Sequence, residues 1–533
     1  MLYTVISCPE IITMDETRPT AEAACVFGGK ILALGSLEDM RALAAHGPHE
    51  ELRFEEGVLL PGFIDSHSHL SMYAQCRTQF FCDTAYRTIA AMLDAFRAHA
   101  AAHPDAEWVM GYCYDDTGLD DQRHLTRHDL DAVSTERPVF VSHITSHMGY
   151  ANTLGLQLLG VTADMKVAGG EVVLDADGQP QGLLKENAYF QIAQKIPATP
   201  AEQLPDLIEQ AVADYNRAGF TMFQDGGISL GGGAHAILRA YTRLAREQRL
   251  NARGYLHFMA NVMDEMLEYG TWSLPLSDHL FFGGVKAFAD GSIQALTALL
   301  GSPYTCKPGY CGDEVVTQEQ IADFIVRHHA KGVPVAVHAN GDAAIEYVVR
   351  GFERALREYP ERVPGHMIIH AQMASDEQLA RLHACGVTPT FFVQHVRAWG
   401  ERHVKLFLGP ERSARLDPCG SCVRMGIPFA LHVDSPVQPV GALISIHTAV
   451  NRTTSAGRVL GPDQRVSTLD AIKAYTVNAA KCTAREHVAG KLAPGYYADF
   501  VQLDKNPLRV PKEELERLQI LRTISGGHVV YEA

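Results

Sequence analysis

No stretch of this 533-residue chain reaches the ~18 consecutive apolar residues that a membrane span needs. Positive charge is also in short supply. Lys and Arg number 46 against 62 Asp and Glu, a formal balance of −16. No basic run offsets that deficit, so nucleic acid and anionic membranes are poor partners, because phosphate binding needs clustered cations. The opening Met1-Leu2-Tyr3-Thr4-Val5 has neither the basic nor the apolar segment of a secretion signal. Paired cysteines are missing too. The 11 are scattered, and Cys419 and Cys422, which have C-x-x-C spacing, lack a second pair to complete a zinc or redox motif. Free thiols suit a reducing compartment. The expectation is a soluble cytoplasmic protein that acts on a small molecule, with a homodimer compatible. Internal repeats and low-complexity tracts are not evident.

What is present is a large apolar fraction, 47%, with 45 Gly and 26 Pro to make turns. That is enough for a sizeable core and a second domain. Both ends read as short strands, and residues 1–58 and 487–533 are expected to pair into one small β-sandwich domain. Between them the pattern is strand-then-helix. Candidate buried strands are 59–66, 219–225, 252–258, 281–288, 333–338, 366–371, 387–392 and 427–433. Thr317-Gln318-Glu319-Gln320 and Ser375-Asp376-Glu377-Gln378 are capping boxes that open helices. Eight strands with intervening helices predict an α/β fold, a (β/α)₈ TIM-like barrel over 59–486, with a doubly wound open sheet as the alternative. Residues 72–218 are too long for a βα connection and read as an insertion over the barrel mouth, a lid or substrate-selecting subdomain.

The chemistry starts at Pro61-Gly62-Phe63-Ile64-Asp65-Ser66-His67-Ser68-His69, an apolar run ending in His-x-His. On a strand, residues i and i+2 point the same way, so both imidazoles aim at one place. Imidazole is the commonest neutral metal ligand, and strand C-termini line the active site of a barrel. Lys286, His338, His370 and Asp434 also fall at predicted strand ends. Singly, each strand-end histidine is more simply a satisfied polar group. Jointly, the same placement five times over points to a metal site. Lys286 could equally be a lysine paired with Asp290, and Asp434, before Ser435-Pro436, a turn or cap residue.

These segments resemble the amidohydrolase superfamily, and within it the branch of N-substituted formamide deformylases and YtcJ-like proteins. The resemblance spans nearly the whole chain. It is carried by the His67/His69 segment and by Lys286-Ala287-Phe288-Ala289-Asp290-Gly291-Ser292. His338-Ala339-Asn340-Gly341-Asp342, Ile369-His370-Ala371-Gln372, Asp434-Ser435-Pro436-Val437 and Gly490 to Phe500 add to it. It implies a distorted TIM barrel with a divalent metal, zinc suiting the donors, one or two per chain. His67, His69 and Asp434 would bind one ion and His338 and His370 the second, with Lys286 bridging as a CO₂-derived carbamate. Metal-bound water, acidified from ~15.7 toward ~7, would attack an amide carbon while Asp434 carries the proton to the leaving nitrogen. His147, in Ser146-His147-Met148-Gly149-Tyr150-Ala151-Asn152, is similar to a His–x₄–Asn segment of the branch that approaches the metal. Tyr114 and Asp115 are pocket candidates.

Two departures lie beside this site. The branch often has Gly-Ser-Leu-Gly-Ser-x-Thr-Ala after its lysine, where this chain has Gly291-Ser292-Ile293-Gln294-Ala295-Leu296-Thr297-Ala298. The last strand often ends Gly-Ser-Asp, whereas here His432-Val433 precede Asp434. They leave hydrolysis in place and open the substrate. N-acyl or N-formyl amides come first. A lactonase, deaminase or carbamate hydrolase on the same site, or a non-catalytic metal-binding barrel, are the alternatives.

Overall fold

The apolar run 59–66, expected as a single strand, is two strands. Val58–Pro61 pairs in one sheet and Phe63–Asp65 in another. The break has a local cause. Pro61 has no N–H to continue a ladder. At Gly62 a Cβ would stand 2.3 Å from Thr221 Oγ1, so only glycine lets the chain cross there. The structure is a computed structural model that describes every residue except Met1, Asp83, 145–147, Gly169, 229–232, 273–275 and Val315.

The first sheet is built from both chain ends. Tyr3–Ile12, Thr20–Phe27, Lys30–Gly35, His49–Arg53 and Val58–Pro61 pair with Phe500–Leu503, Ile520–Ser525 and His528–Glu532 in one eight-stranded sheet. Alternation sends Ile6, Ala24 and Val26 to a core with Phe500 and Ile524. Val5, Ala23 and Cys25 face the other way, under Met40 and Ala44 of the helix Leu37–Ala44.

The second sheet is the barrel. Its strands are β1 (Phe63–Asp65), β2 (Phe220–Ile228), β3 (Arg253–Met259), β4 (Leu280–Phe288), β5 (Val335–Ala339), β6 (Met367–His370), β7 (Thr388–Phe391) and β8 (Ala430–Leu431). They run parallel, each paired with the next in chain order. Just beyond β8 and β1 the edges meet. Asp434 N donates to the His67 carbonyl at 3.1 Å, and His69 N to that of Ser435 at 2.9 Å. The Asp65 carboxylate accepts the Val433 N–H at 3.0 Å. This nearly closed ring is the barrel and not the open doubly wound sheet.

Amphipathic helices cover the barrel strands. Ala234–Arg246 buries Ile237, Ala240, Tyr241 and Leu244, and Asp342–Glu358 buries Ile345, Val348, Val349 and Phe352. Gln318–His329 and Asp376–Ala384 open on the two capping boxes read from the sequence.

Residues Met72–Leu207 form a separate compact unit, the rest of the chain being the other. This unit holds a six-stranded sheet in the order Gly170–Leu174, Pro180–Glu186, Met148–Ala151, Val139–His143, Val109–Tyr114, Phe80–Phe81. Phe80, Phe96, Val109, Val139 and Tyr150 lie in its core. The insertion was expected to run to 218, but the unit ends at Leu207. The helix Leu204–Arg217 belongs largely with the barrel because Tyr215 packs on Phe220 and Phe223 of β2.

Candidate metal centre

Five strand ends send polar side chains into one buried space. From β1, His67 and His69 bring their rings to 5.0 Å, centroid to centroid. Their Nε2 atoms each lie 3.7 Å from Asp434 Oδ1, which follows β8. From β4, Lys286 Nζ reaches 3.2 Å from His67 Nε2. His370, at the end of β6, places Nε2 4.0 Å from Asp434 Oδ2. His338 on β5 has its ring 4.6 Å from that of His370. His370, Ala371 and Asp434 all have positive φ, at 68°, 44° and 56°. Non-glycine residues in that region are strained, and such strain collects where side chains must be aimed.

Burial decides the charges. It pushes His69 and His338 down to about 3 and His67 and His370 well below the ordinary histidine value. The imidazoles are therefore neutral, and each keeps one lone pair. Their neighbours decide which nitrogen holds it. His67 Nδ1 faces Gln224 Oε1 at 2.7 Å. An amide oxygen only accepts, so Nδ1 carries the proton and Nε2 turns its lone pair toward Lys286 and Asp434. His338 Nε2 lies 3.1 Å from the Gly291 carbonyl and 3.0 Å from Asn340 Nδ2, which itself donates to that carbonyl at 2.8 Å. The His69 ring bonds the backbone of Gly226. An outer hydrogen bond that sets the inner tautomer is the arrangement of metal-binding histidines.

Burial also raises Asp434 to about 6, with Lys286 and His395 opposing the rise, and lowers Lys286 to about 7, with Asp434 opposing it. Asp434 Oδ1 is buried and has no hydrogen-bond partner among the described residues. An unpaired carboxylate oxygen in such a place is costly. A cation would satisfy it, and two neutral imidazole lone pairs face the same point. His67, His69 and Asp434 form one group of donors suited to a metal ion; His370, His432 and Asp434 form a second. The residues present fit a divalent metal.

Some of these residues were not singled out from the sequence as site residues. His432 lies two positions before Asp434, the spacing that flagged His67 and His69, and its Nε2 is 3.2 Å from His370 Nδ1. His257, on β3, is wholly buried, with both ring nitrogens unpartnered among the described residues. His395 brings its ring to 5.7 Å from that of His370 and is held at Nδ1 by Asp417 at 3.3 Å. It sits on the helix Gln394–Arg402, where strand-end logic has no purchase.

The insertion's candidates stand apart from this list. Within the unit Met72–Leu207, the Tyr114 hydroxyl donates to the Arg123 carbonyl at 2.7 Å. Asp115 accepts from the Thr117 N–H at 3.1 Å and its hydroxyl at 2.7 Å. His147 lies outside the described residues.

Residues 55–531 match the amidohydrolase family. The chain belongs to the amidohydrolase family. This amidohydrolase is 30% identical to YtcJ of Bacillus subtilis (strain 168), over 98% of each chain. It is 28% identical to the N-substituted formamide deformylase of Arthrobacter pascens, over 98% of this chain and 96% of that one. Among solved structures it is similar to an uncharacterized metal-dependent hydrolase from Pyrococcus furiosus. The identity is 25% and the TM-score 0.76, over 95% of this chain and 100% of that one. A second such hydrolase, from Pyrococcus horikoshii OT3, shares the fold at a TM-score of 0.80 and 23% identity, over 96% and 99% of the two chains. No helix among the described residues is long and apolar enough to cross a membrane.

Proposed function

We propose that this amidohydrolase cleaves a C–N amide bond in a small N-acyl or N-formyl compound, with zinc as the metal. The observation that carries the reading is Asp434 Oδ1, buried, unpartnered among the described residues and 3.7 Å from Nε2 of both His67 and His69. His67, His69 and Asp434 would hold one ion, and His338 and His370 a second. A bound ion supplies Lewis acidity, which acidifies water and polarises the amide carbonyl. The rest is the work of the chain. Asp434 takes a proton from the attacking water and delivers it to the leaving nitrogen, because an amide anion is too basic to depart unprotonated. Lys286 is buried and its ammonium is destabilised there, so the free amine is accessible near neutrality. A free amine adds to CO₂ and releases a proton, and the resulting carbamate offers two anionic oxygens where the ammonium offered none. The choice of an N-formyl or N-acyl substrate rests on the name of the Arthrobacter pascens relative.

Metal analysis of the purified protein, with a screen of N-formyl amides, N-acyl amides, lactones and carbamates, tests the reading. A released amine together with bound zinc is expected. His67→Ala and Asp434→Asn are each expected to cut turnover by about 10²–10⁴-fold, the usual weight of a proton-transfer or ligand group. Undiminished turnover in both variants, or ammonia as the nitrogen product, would refute it.

A further inference from the structure

His432 is fully buried at the end of β8, and a chain of hydrogen bonds defines its protons. Its Nδ1 is 2.9 Å from Thr390 Oγ1, which is 2.5 Å from Ser66 Oγ. Ser66 Oγ donates to the Leu431 carbonyl at 2.9 Å. A hydroxyl has one proton. That of Ser66 is committed to the carbonyl, so between the two hydroxyls Thr390 is the donor. The Thr390 proton is thereby spent, and His432 must donate from Nδ1. Its Nε2 is left as a lone pair, 3.2 Å from His370 Nδ1. A lone pair at that distance takes the proton of the facing nitrogen. His370 therefore carries its hydrogen on Nδ1 and presents Nε2, 4.0 Å from Asp434 Oδ2.

No solvent competes for these bonds, since Ser66, Thr390, Leu431 and His432 are all 0% exposed. The Phe392 ring lies stacked at 5.6 Å and 17° against His432 and holds its plane. Every donor in the row has one acceptor. Reversing any one bond would set two protons, or two lone pairs, face to face.

We propose that His432 is a positioning residue, which through Thr390 and Ser66 selects the tautomer in which His370 offers Nε2 to the metal. It rests on the reading of His370 as a ligand and adds the device that makes it one. The relay is neutral throughout, so it orients His370 without adding negative charge.

The test is zinc affinity of the metal-stripped protein, measured by competition with a chromogenic chelator, together with the ¹⁵N signals of the histidine side chains. Thr390→Val leaves His432 Nδ1 without an acceptor, and His432→Ala removes the relay. Both are expected to weaken zinc binding by about 10–100-fold, as for other outer partners of ligand histidines. Thr390→Ser, which keeps the hydroxyl, should bind as the parent does. In the parent the His432 signal should report a proton on Nδ1, and in Thr390→Val that preference should be lost. Wild-type zinc affinity in folded Thr390→Val overturns the relay whatever becomes of turnover. A zinc-loaded crystal structure with His432 Nε2 bonded to the ion overturns it as well. Failure of the parent protein to bind zinc at all overturns both the relay and the metal-centre reading, whereas failure on amides alone touches only the proposed substrate.

Discussion

Gly226 shows how little room the candidate centre leaves at the scale of a residue. A Cβ there would lie 2.4 Å from His67 Cε1 and 2.5 Å from Nδ1, the nitrogen that Gln224 holds. Gly226→Ala should rotate the His67 ring away from Asp434. The expected result is at least a tenfold loss of zinc affinity with circular dichroism unchanged; unaltered metal binding would show that the ring has slack. Gln224 makes the companion case. Gln224→Leu removes the acceptor that places the His67 proton on Nδ1 and should lower zinc affinity in the same range, read by the same chelator competition. Gln224 does not stand out in the sequence as chemistry, because an amide in an apolar strand looks like any buried polar residue until its partner is seen.

At the scale of the element, β5 carries His338 and is tied at its start by a second histidine row. The Val335 N–H donates to His366 Nδ1 at 3.0 Å, and His366 Nε2 meets His329 Nδ1 at 2.8 Å. The row ends where His329 Nε2 donates to the Tyr359 carbonyl at 2.9 Å. Here too the direction is set by the ends, an amide that can only donate and a carbonyl that can only accept. His366→Ala orphans a buried strand N–H and is expected to cost about 1–3 kcal/mol, measured as a shift in the urea unfolding midpoint. An unshifted midpoint would mean that water replaces the ring. The elements themselves were largely legible. The capping boxes at Thr317 and Ser375 open helices as read. What misled was the run 59–66, whose continuous apolar character hid the crossing between two sheets at Gly62, since hydropathy records burial and not the partner.

For the whole molecule, the buried titratable groups give a pH dependence whose sign can be worked out. His69, His257, His338 and His366 are all pushed by burial to about 3 in the folded protein. In the unfolded chain they titrate near about 6.5. As pH falls below that value the unfolded state takes up protons that the folded state refuses, so stability is lost from about 6.5 down toward about 3. Asp65 and Asp290, raised to about 7, and Asp225 and Asp434, raised to about 6, act in the opposite direction. They bind protons in the folded state first and favour it as pH falls toward about 4. The histidines prevail, because His67, His370, His403 and His432 are pushed well below their ordinary value as well. The metal-free protein should therefore melt at progressively lower temperature between pH 7 and pH 5. A melting temperature that holds or rises over that interval would contradict the neutral-histidine core. Bound metal should steepen the fall, since ligation keeps Asp434 ionised and so removes its opposing share.

The sequence by itself determined the alternation of strand and helix, the long insertion, and the presence of His67, His69, Lys286, His338, His370 and Asp434 at strand ends. These are local properties, written in periodicity and spacing. Only the tertiary structure decided the rest. Closure of β8 on β1 brings Asp434 to the two β1 histidines across more than 360 residues of chain. Fold, not spacing, selects which ring nitrogen is left open, because the proton is placed by partners distant in sequence: Gln224 for His67, and the row through His432, Thr390 and Ser66 for His370. A histidine in a sequence can carry its proton on either ring nitrogen, and the groups packed around it settle which.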